Sequence, residues 1–291
     1  MRRAAEVDVG SIDRDLSSYD AIITLLSDRV DAALLDRAPR LKLVANVAVG
    51  VDNIDLDACK ARNVRVTNTP GVLTEATADL AFGLLIAAAR RIAEGDRSVR
   101  AGTFPAWRPT TFLGTPVNGT TLGILGMGRI GGAMARRARG FGMRLVYHQR
   151  RRLPEELERA LLASFVTLDE LFRASDFVSV HCPLTDETRH IVSRERLASM
   201  KPGSILVNTS RGGCVDEAAL AEALESGLGG AGLDVFEDEP RVDENILKRL
   251  NVVLTPHIAS ADRRTREAMS SLAVDNVLSQ VQAHDLLTPV V

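Results

Sequence analysis

The sequence lacks the features that mark membrane, secreted or nucleic-acid-binding proteins. Its 36 basic and 38 acidic side chains leave a formal net charge of −2. That balance gives no reason to expect nucleic acid or an acidic membrane surface as a partner. No apolar run approaches the roughly 20 residues of a membrane span, and we expect no signal peptide because the N-terminus has no apolar core. Small molecules are therefore the expected partners.

Cysteine is also scarce. Cys59, Cys182 and Cys214 form an odd, scattered set without metal-ligand spacing. We therefore expect no metal site, and we interpret the three side chains as reduced packing thiols of a cytoplasmic protein. At 291 residues, the chain is long enough for two domains, each with its own core.

The most informative stretch is a glycine-rich turn between two apolar runs, 121–125 and 143–147. The pattern predicts strand, turn, helix and strand. The first glycine allows a tight turn, the second lets the backbone approach a pyrophosphate, and the third packs the helix against the strand. The free N–H groups and the dipole at the helix N-terminus also favour binding of the pyrophosphate. The expected cofactor contacts here are Gly126, Gly128, Arg129, Ile130 and Gly131.

No acidic residue stands at the end of the second strand, where a dinucleotide site that prefers NAD carries one. Instead, Arg150, Arg151 and Arg152 follow Gln149. Three guanidinium groups suit a 2′-phosphate, which they can bind through paired, charge-assisted hydrogen bonds. NADP(H) is therefore the preferred cofactor, with NAD(H) as the alternative. The structural alternative is a solvated basic turn before a helix that begins at Pro154.

The first part of the chain is predicted to be a small alternating α/β unit. Strands are expected at 6–9, 20–24, 41–45 and 64–67, and a helix at 30–36. Such alternation implies a parallel sheet. A turn at 46–50 follows the third of these strands and ends in Gly50. Its N–H groups could hold a small anion, and an ordinary loop is the alternative.

A long apolar helix is expected from Thr74 to Arg91. Its run from Ala78 to Ala89 is apolar on nearly every face, which calls for burial all round. A subunit interface would supply that burial. From Gly95 to Asn118 we expect irregular structure around Trp107, either as an arm that reaches a partner or as a functional loop. Trp107 could also fill a gap in the core.

Beyond residue 152, each apolar run ends in polar side chains. The runs are 176–180, 204–208, 231–233 and 252–254, and the polar residues that follow include His181, Arg211, Glu239 and His257. The carboxyl ends of strands are where a doubly wound sheet holds its ligand. The helices between these runs have ordinary start signals, among them a capping box at Thr167 and a cap at Asp216.

Arg211, Glu239 and His257 suit the reduction of a carbonyl group. Arg211 can hold a carboxylate and the carbonyl oxygen, and His257 can donate a proton to that oxygen. Glu239 can keep His257 oriented and charged, while the hydride comes from the cofactor. Each residue alone also has a structural interpretation, respectively as a surface ion pair, a solvated turn acid and a loop histidine.

Four motifs in order resemble those of the D-2-hydroxyacid dehydrogenase family. They are the glycine turn at 126–131, Asn208 to Gly212, Gly232 to Pro240, and Thr255 to Ile258. The match covers nearly the whole chain. Within the family, the sequence is most similar to glyoxylate/hydroxypyruvate reductases, through Val49 and Gly50, Trp107, and the pair Arg150 and Arg151.

The resemblance implies an α/β fold in which a Rossmann-type doubly wound parallel sheet domain is inserted into a smaller flavodoxin-like substrate domain. The expected bounds are 1–70 with 263–291 for the substrate domain and 71–262 for the nucleotide domain. A cleft between the domains and a homodimer built through the helix and arm at 74–118 are also implied. Family members usually begin a strand and a helix earlier, so we expect either that the start of this sequence was assigned too late or that the substrate domain lacks those two elements.

The implied activity is hydride transfer from NADPH to a small 2-keto acid such as glyoxylate or hydroxypyruvate. Arg211, Glu239 and His257 are the implied catalytic residues. Val49, Gly50, Trp107 and Arg211 are the implied substrate contacts. Outside the glycine turn, the implied cofactor contacts are Thr77, Gln149, Arg150, Arg151, Pro183, Thr209 and Asp234.

Other classes remain as alternatives. A phosphoglycerate-dehydrogenase-like NAD enzyme would share the catalytic trio but would normally carry an acid in place of the arginines. Formate dehydrogenases lack the acid partner of the histidine, so Glu239 argues against them. A nucleotide-sensing corepressor could keep this fold and bind partner proteins without turnover, and detectable turnover would separate it from an enzyme.

Overall fold

The computed structural model describes residue 12 and residues 14–291. The strand predicted at 6–9 lies outside these residues. Two compact units are present: the described residues up to Leu73 together with Asp262–Val291, and Thr74–Ala261. None of the described helices is long and apolar enough to cross a membrane.

Strands and helices alternate along both units. The strands are β1 (Ala21–Thr24), β2 (Leu43–Asn46), β3 (Arg65–Thr67), β4 (Thr121–Leu125), β5 (Arg144–His148), β6 (Ala163–Phe165), β7 (Phe177–Val180), β8 (Ile205–Asn208), β9 (Gly230–Leu233) and β10 (Val252–Leu254). The helices are α1 (Ala32–Asp36), α2 (Leu56–Ala61), α3 (Thr74–Ala89), α4 (Ile92–Arg100), α5 (Arg129–Gly140), α6 (Glu155–Leu161), α7 (Leu168–Ala174), α8 (Arg194–Ser199), α9 (Glu217–Ser226), α10 (Glu244–Leu247) and α11 (Arg263–Val281).

The first unit contains a parallel sheet in the order β1-β2-β3. The predicted helix at 30–36 begins later, at Ala32, because the Asp31 carboxylate accepts the N–H of Leu34 and caps it. The short helix α2 was not predicted. Helix α11 packs on β1 and β2. The chain near its C-terminus pairs antiparallel with β3, and the Val290 N–H is bonded to the Val66 carbonyl.

The second unit is a seven-stranded parallel sheet in the order β10-β9-β8-β7-β4-β5-β6. The strand order reverses between β4 and β7, which defines a topological switch point. One apolar core, with α3 and α5, covers one face, and a second, with α7, α8 and α9, covers the other. The doubly wound sheet expected from the sequence is therefore present, and every strand runs in the same direction.

Helix α3 is buried largely within its own unit, against α5, β8 and β9. A Cβ added at Gly232 would lie 2.8 Å from Leu84 Cβ, so this glycine allows α3 to approach β9 closely. The apolar run therefore needs no subunit interface to explain it. The helix ends at Ala89, and α4 fills part of the stretch expected to be irregular, so the expected onset of irregular structure at Gly95 is wrong.

Candidate active site

The glycine turn has the backbone that the sequence predicts. Gly126 follows β4 with φ of +95°, a region that favours glycine, and its N–H is bonded to the His148 carbonyl at 2.9 Å. A Cβ there would lie 2.8 Å from the Cys182 N. The first glycine is thus required by both the turn and the neighbouring strand end.

The other two glycines, Gly128 and Gly131, are in different environments. A Cβ at Gly131 would lie 2.2 Å from the Gly126 carbonyl oxygen, so helix–strand packing requires glycine there. Nothing lies within 4 Å of a Cβ added at Gly128, which is exposed. Gly128 is also the N-cap of α5 and supplies no side-chain cap. The first-turn N–H groups, including those of Arg129 and Ile130, are therefore available to an anion such as a pyrophosphate.

The three arginines after β5 have different environments. Arg152 forms a two-point ion pair with Glu158, at 2.9 and 2.8 Å, so its guanidinium is already engaged by a carboxylate. Arg150 and Arg151 are exposed, and their guanidinium groups make no hydrogen bond or ion pair within the described part of the chain. Two guanidinium groups remain for a 2′-phosphate.

Glu158 joins Arg152 to the buried end of β5. Its Oε1 also accepts the Tyr147 hydroxyl at 2.6 Å. The Arg152 hydrogen bonds, followed by that of Tyr147, lower the pKa of Glu158 to about 2. Burial, followed by the hydrogen bond to Glu158, raises the pKa of Tyr147 to about 12. This network fixes the C-terminal end of the basic turn.

Gln149 connects the glycine turn to the basic turn. Its Oε1 accepts the Met127 N–H at 3.1 Å, and its Nε2 donates to the Arg151 carbonyl at 2.7 Å. The side chain thus lies between the two segments expected to bind phosphate groups. Its residue type gave no signal of this bridging position.

The remaining predicted cofactor residues in this unit differ in their contacts. Thr209 is 7% exposed, and its Oγ1 is buried with no hydrogen-bond partner among the described residues. An orphaned hydroxyl of this kind fits a polar ligand group. Thr77 is buried in α3. Pro183 is exposed, and its carbonyl accepts the Thr188 hydroxyl at 2.6 Å.

Arg211 lies after β8, on a loop in direct contact with the loop after β9. The Asn208 side chain fixes the Arg211 loop by donating a hydrogen bond to the Arg211 carbonyl at 2.9 Å. A Cβ at Gly212 would lie 1.8 Å from the carbonyl carbon of Phe236, so only glycine allows the two loops to meet. The Arg211 guanidinium is close enough to Glu239 for its charge to lower the pKa of that carboxyl.

Glu239 and His257 form a hydrogen-bonded pair. His257 Nδ1 lies 2.8 Å from Glu239 Oε2, and 22% and 30% of the two side chains, respectively, remain exposed. Glu239 Oε1 accepts the Phe236 N–H at 2.9 Å. Burial raises the pKa of Glu239, but the hydrogen bonds from His257 and Phe236 outweigh it, and the net pKa lies below its ordinary value. The His257 Nε2 makes no hydrogen bond within the described residues and can serve a ligand.

Asp234 holds the loop that carries His257. It is fully buried, and its carboxylate accepts the N–H groups of Ile258 and Ala259, each at 2.8 Å, and the Thr255 hydroxyl at 2.6 Å. Its carbonyl accepts the His257 N–H at 2.8 Å. His257 is thereby held at φ of +53°. The sequence suggested Asp234 as a cofactor contact but gave no sign of this second role.

The turn at 46–50 lies in the other unit, after β2. The Val49 carbonyl accepts the Asn68 side chain at 2.8 Å, and the Gly50 carbonyl accepts the Asn46 side chain at 2.9 Å. The N–H groups of Val49 and Gly50 donate no hydrogen bond within the described part of the chain. The turn therefore offers two fixed donors to an anion.

Trp107 does not fill a gap in the core. Its exposure is 80%, and four other large apolar side chains of the surrounding stretch are also exposed: Ile92, Val99, Phe104 and Leu113. The alternative of a core-filling tryptophan is therefore wrong.

The glycine turn, Arg211, Glu239 and His257 all follow carboxyl ends of strands in one parallel sheet. A sequence model described as "D-isomer specific 2-hydroxyacid dehydrogenase, NAD binding domain" matches residues 82–259. The chain belongs to this family. Membership confirms the resemblance inferred from the four motifs, and it makes the protein an oxidoreductase that uses a nicotinamide cofactor.

Several relatives of this dehydrogenase carry more specific names. The chain is 52% identical to the glyoxylate reductase of Thermococcus litoralis, over 89% of this chain and 80% of that protein. The structure resembles the NADPH-dependent glyoxylate/hydroxypyruvate reductase of Sinorhizobium meliloti in complex with NADP and malonate, with a TM-score of 0.87, 39% identity, and coverage of 95% and 85%. It also resembles D-lactate dehydrogenase from Aquifex aeolicus complexed with NAD and lactic acid, with a TM-score of 0.85, 32% identity, and coverage of 94% and 86%.

These neighbours agree on the reaction class and differ in cofactor. Both solved structures share the fold over most of their length, which confirms the expected Rossmann-type architecture. One was solved with NADP and the other with NAD. Likeness to them therefore supports a nicotinamide cofactor, and only the residues of this chain can indicate whether NADP or NAD is preferred.

Proposed function

We propose that this protein is a reductase that transfers a hydride from NADPH to a small 2-keto acid, such as glyoxylate or hydroxypyruvate, and yields the 2-hydroxy acid. The observation that carries the proposal is the hydrogen-bonded pair Glu239–His257, with Arg211 beside it, at the same edge of the sheet as the glycine turn. The name of the Thermococcus litoralis relative supports the choice of glyoxylate.

The chemistry divides among three side chains. The nicotinamide, when bound, supplies the hydride. Arg211 binds the keto oxygen and the neighbouring carboxylate and stabilises the negative charge that develops on that oxygen. His257 donates the proton from Nε2, because Nδ1 is engaged by Glu239. Glu239 holds the imidazole in the required orientation and tautomer.

The residues around the cofactor site fit a phosphorylated dinucleotide. The open space at Gly128 and the first-turn N–H groups of α5 suit the pyrophosphate. Arg150 and Arg151 suit the 2′-phosphate, since neither guanidinium is hydrogen-bonded or ion-paired to a side chain of the described residues. Thr209, whose hydroxyl has no partner there, suits a polar group of the cofactor, and Thr77, Gln149, Pro183 and Asp234 complete the proposed set.

The N–H groups of Val49 and Gly50 are proposed to bind the substrate carboxylate, and Trp107 to contact the substrate. The homodimer and the cytoplasmic location remain predictions. The exposed apolar side chains between Ile92 and Leu113 support the dimer, because a patch of this kind is typical of an interaction surface.

The test is a set of initial rates with purified protein. NADPH and NADH oxidation would be followed with glyoxylate, hydroxypyruvate, pyruvate and 3-phosphohydroxypyruvate. We expect the highest kcat/KM with NADPH and one of the first two acids. A preference for NADH and 3-phosphohydroxypyruvate would favour the phosphoglycerate-dehydrogenase-like alternative. Cofactor binding without turnover on any acid would favour the corepressor-like alternative.

A further inference from the structure

Glu217 is a buried acid to which the proposed reaction assigns no role. It is the first residue of α9, and only 7% of it is exposed. The residue before it, Asp216, already caps the helix by accepting the Ala219 N–H at 2.9 Å. Glu217 is therefore not needed as the cap. A buried carboxyl group needs a hydrogen-bond partner to offset its desolvation.

The partner of Glu217 lies on the loop that carries Glu239. Glu217 Oε1 accepts the main-chain N–H of Glu237 at 2.7 Å, and no other hydrogen bond reaches this carboxyl within the described residues. Glu237 is two positions before Glu239 on the segment that follows β9. One side chain of α9 thus fixes the backbone of the segment from which Glu239 reaches His257.

The same segment is held at a second point by its own side chain. Glu237 Oε1 lies 2.6 Å from His190 Nε2, and the His190 N–H is bonded to the Gly213 carbonyl at 2.9 Å. His190 thereby links the Glu239 segment to the loop of Arg211. This pair is 35–40% exposed, so its contribution is expected to be smaller than that of the buried contact.

We propose that Glu217 is a positioning residue for the reaction: through the Glu237 N–H it holds the Phe236–Pro240 segment where the Glu239 carboxylate can orient His257. What matters in this contact is the accepting oxygen rather than the negative charge. Burial, and then the charges of Glu237, Asp243 and Glu239, raise the pKa of Glu217 against the lowering effect of the hydrogen bond. A neutral amide with the same oxygen should therefore serve as well.

The inference rests on the proposed function. Two readouts distinguish a failure of the inference from a failure of the proposed function. The variants are Glu217→Gln, which keeps an accepting oxygen, Glu217→Ala, which removes it, and Glu222→Ala, which removes an exposed carboxylate from the same helix. The first readout is kcat and KM for glyoxylate and NADPH. The second is amide hydrogen exchange in the peptide that covers residues 235–240, which requires no turnover.

Glu217→Ala should lower kcat roughly tenfold, as expected for a misplaced catalytic group, and should leave KM for NADPH unchanged. It should also speed exchange in the 235–240 peptide. Glu217→Gln and Glu222→Ala should match the wild type in both readouts. A purely structural role would lower the melting temperature of Glu217→Ala without this change in kcat.

The inference is overturned if Glu217→Ala matches Glu222→Ala in kcat and exchange, or if Glu217→Gln loses as much as Glu217→Ala. Should Glu217→Ala fail to fold, Glu217→Met replaces it, because a buried thioether fills a similar volume without an accepting oxygen. If the wild-type protein reduces no keto acid, the proposed function fails instead, and exchange alone decides whether Glu217 holds the segment.

Discussion

Glu239 accepts a hydrogen bond from His257 across 2.8 Å, although the two residues are 18 positions apart and follow different strands. β9 and β10 are parallel neighbours, so their carboxyl ends deliver both side chains to one place. The glutamate leaves Nε2 of the imidazole for the substrate. The pair is the structural basis of the proposed proton transfer.

The Glu239–His257 pair predicts that the acid limb in the pH profile of kcat/KM lies at unusually low pH. Because the pKa of Glu239 is lowered, the carboxylate form persists below the ordinary value of 4.5. The Glu239–His257 interaction is therefore present above that value and lost as the pH falls through the lowered pKa. We expect kcat/KM to hold down to about pH 4.5 and to fall below it. Glu239→Gln should lower kcat roughly ten- to hundredfold and remove this limb; a limb retained in Glu239→Gln would assign it to another group.

Alanine substitutions at the two glycines near the start of α5 should affect different properties, stability at Gly131 and cofactor binding at Gly128. Gly131→Ala places a Cβ 2.2 Å from the Gly126 carbonyl oxygen, so it should lower stability, by roughly 1–3 kcal/mol. Gly128→Ala meets no atom within 4 Å, so the protein should fold normally and bind NADPH more weakly. Thermal unfolding and cofactor titration measure the two effects. Equal cofactor affinity in Gly128→Ala and the wild type would place the pyrophosphate elsewhere.

The three arginines after β5 provide matched variants for cofactor preference. Arg150→Ala and Arg151→Ala should each raise KM for NADPH by roughly tenfold or more, as expected for the loss of a charge-assisted hydrogen bond to phosphate. KM for NADH should change little. Arg152→Ala is the control, because its guanidinium is already bound to Glu158. A larger effect from Arg152→Ala than from the other two would contradict the assignment.

Asp234 should be required for both stability and turnover. In Asp234→Asn, an NH₂ group replaces one of the two oxygens that face the N–H groups of Ile258 and Ala259. Leaving a buried donor unsatisfied costs about 1–3 kcal/mol, and the loop that carries His257 loses a support. Urea unfolding and kcat report the two losses. Asp186→Asn, an exposed change on the loop after β7, should affect neither; an equal loss there would argue against a specific role for Asp234.

The sequence predicted the parallel architecture well because the apolar runs match the strands in position and length. The runs at 121–125 and 204–208 correspond to β4 and β8 within one residue. The capping box at Thr167 and the cap at Asp216 are both present, since each needs only residues within one helical turn. The short elements α2 and β6 were missed because six and three residues carry too little periodicity.

The candidate site was less predictable wherever a contact depends on residues distant in sequence. Arg150, Arg151 and Arg152 look equivalent in the sequence, and only the position of Glu158 on α6 separates the third from the others. The bridging role of Gln149 and the support from Asp234 likewise depend on how separate loops meet. The apolar face of α3 suggested an interface, whereas α5, β8 and β9 already cover much of it.

The most direct test compares wild-type protein with His257→Gln, with glyoxylate as substrate and NADPH as cofactor. Calorimetric titration gives cofactor affinity, and the absorbance of NADPH gives turnover. We expect equal affinity, together with a loss of turnover of roughly 10²–10⁴-fold in the variant, as for removal of a general acid. Turnover in His257→Gln equal to that of the wild type would contradict the assignment of proton transfer to His257 and, with it, the proposed site.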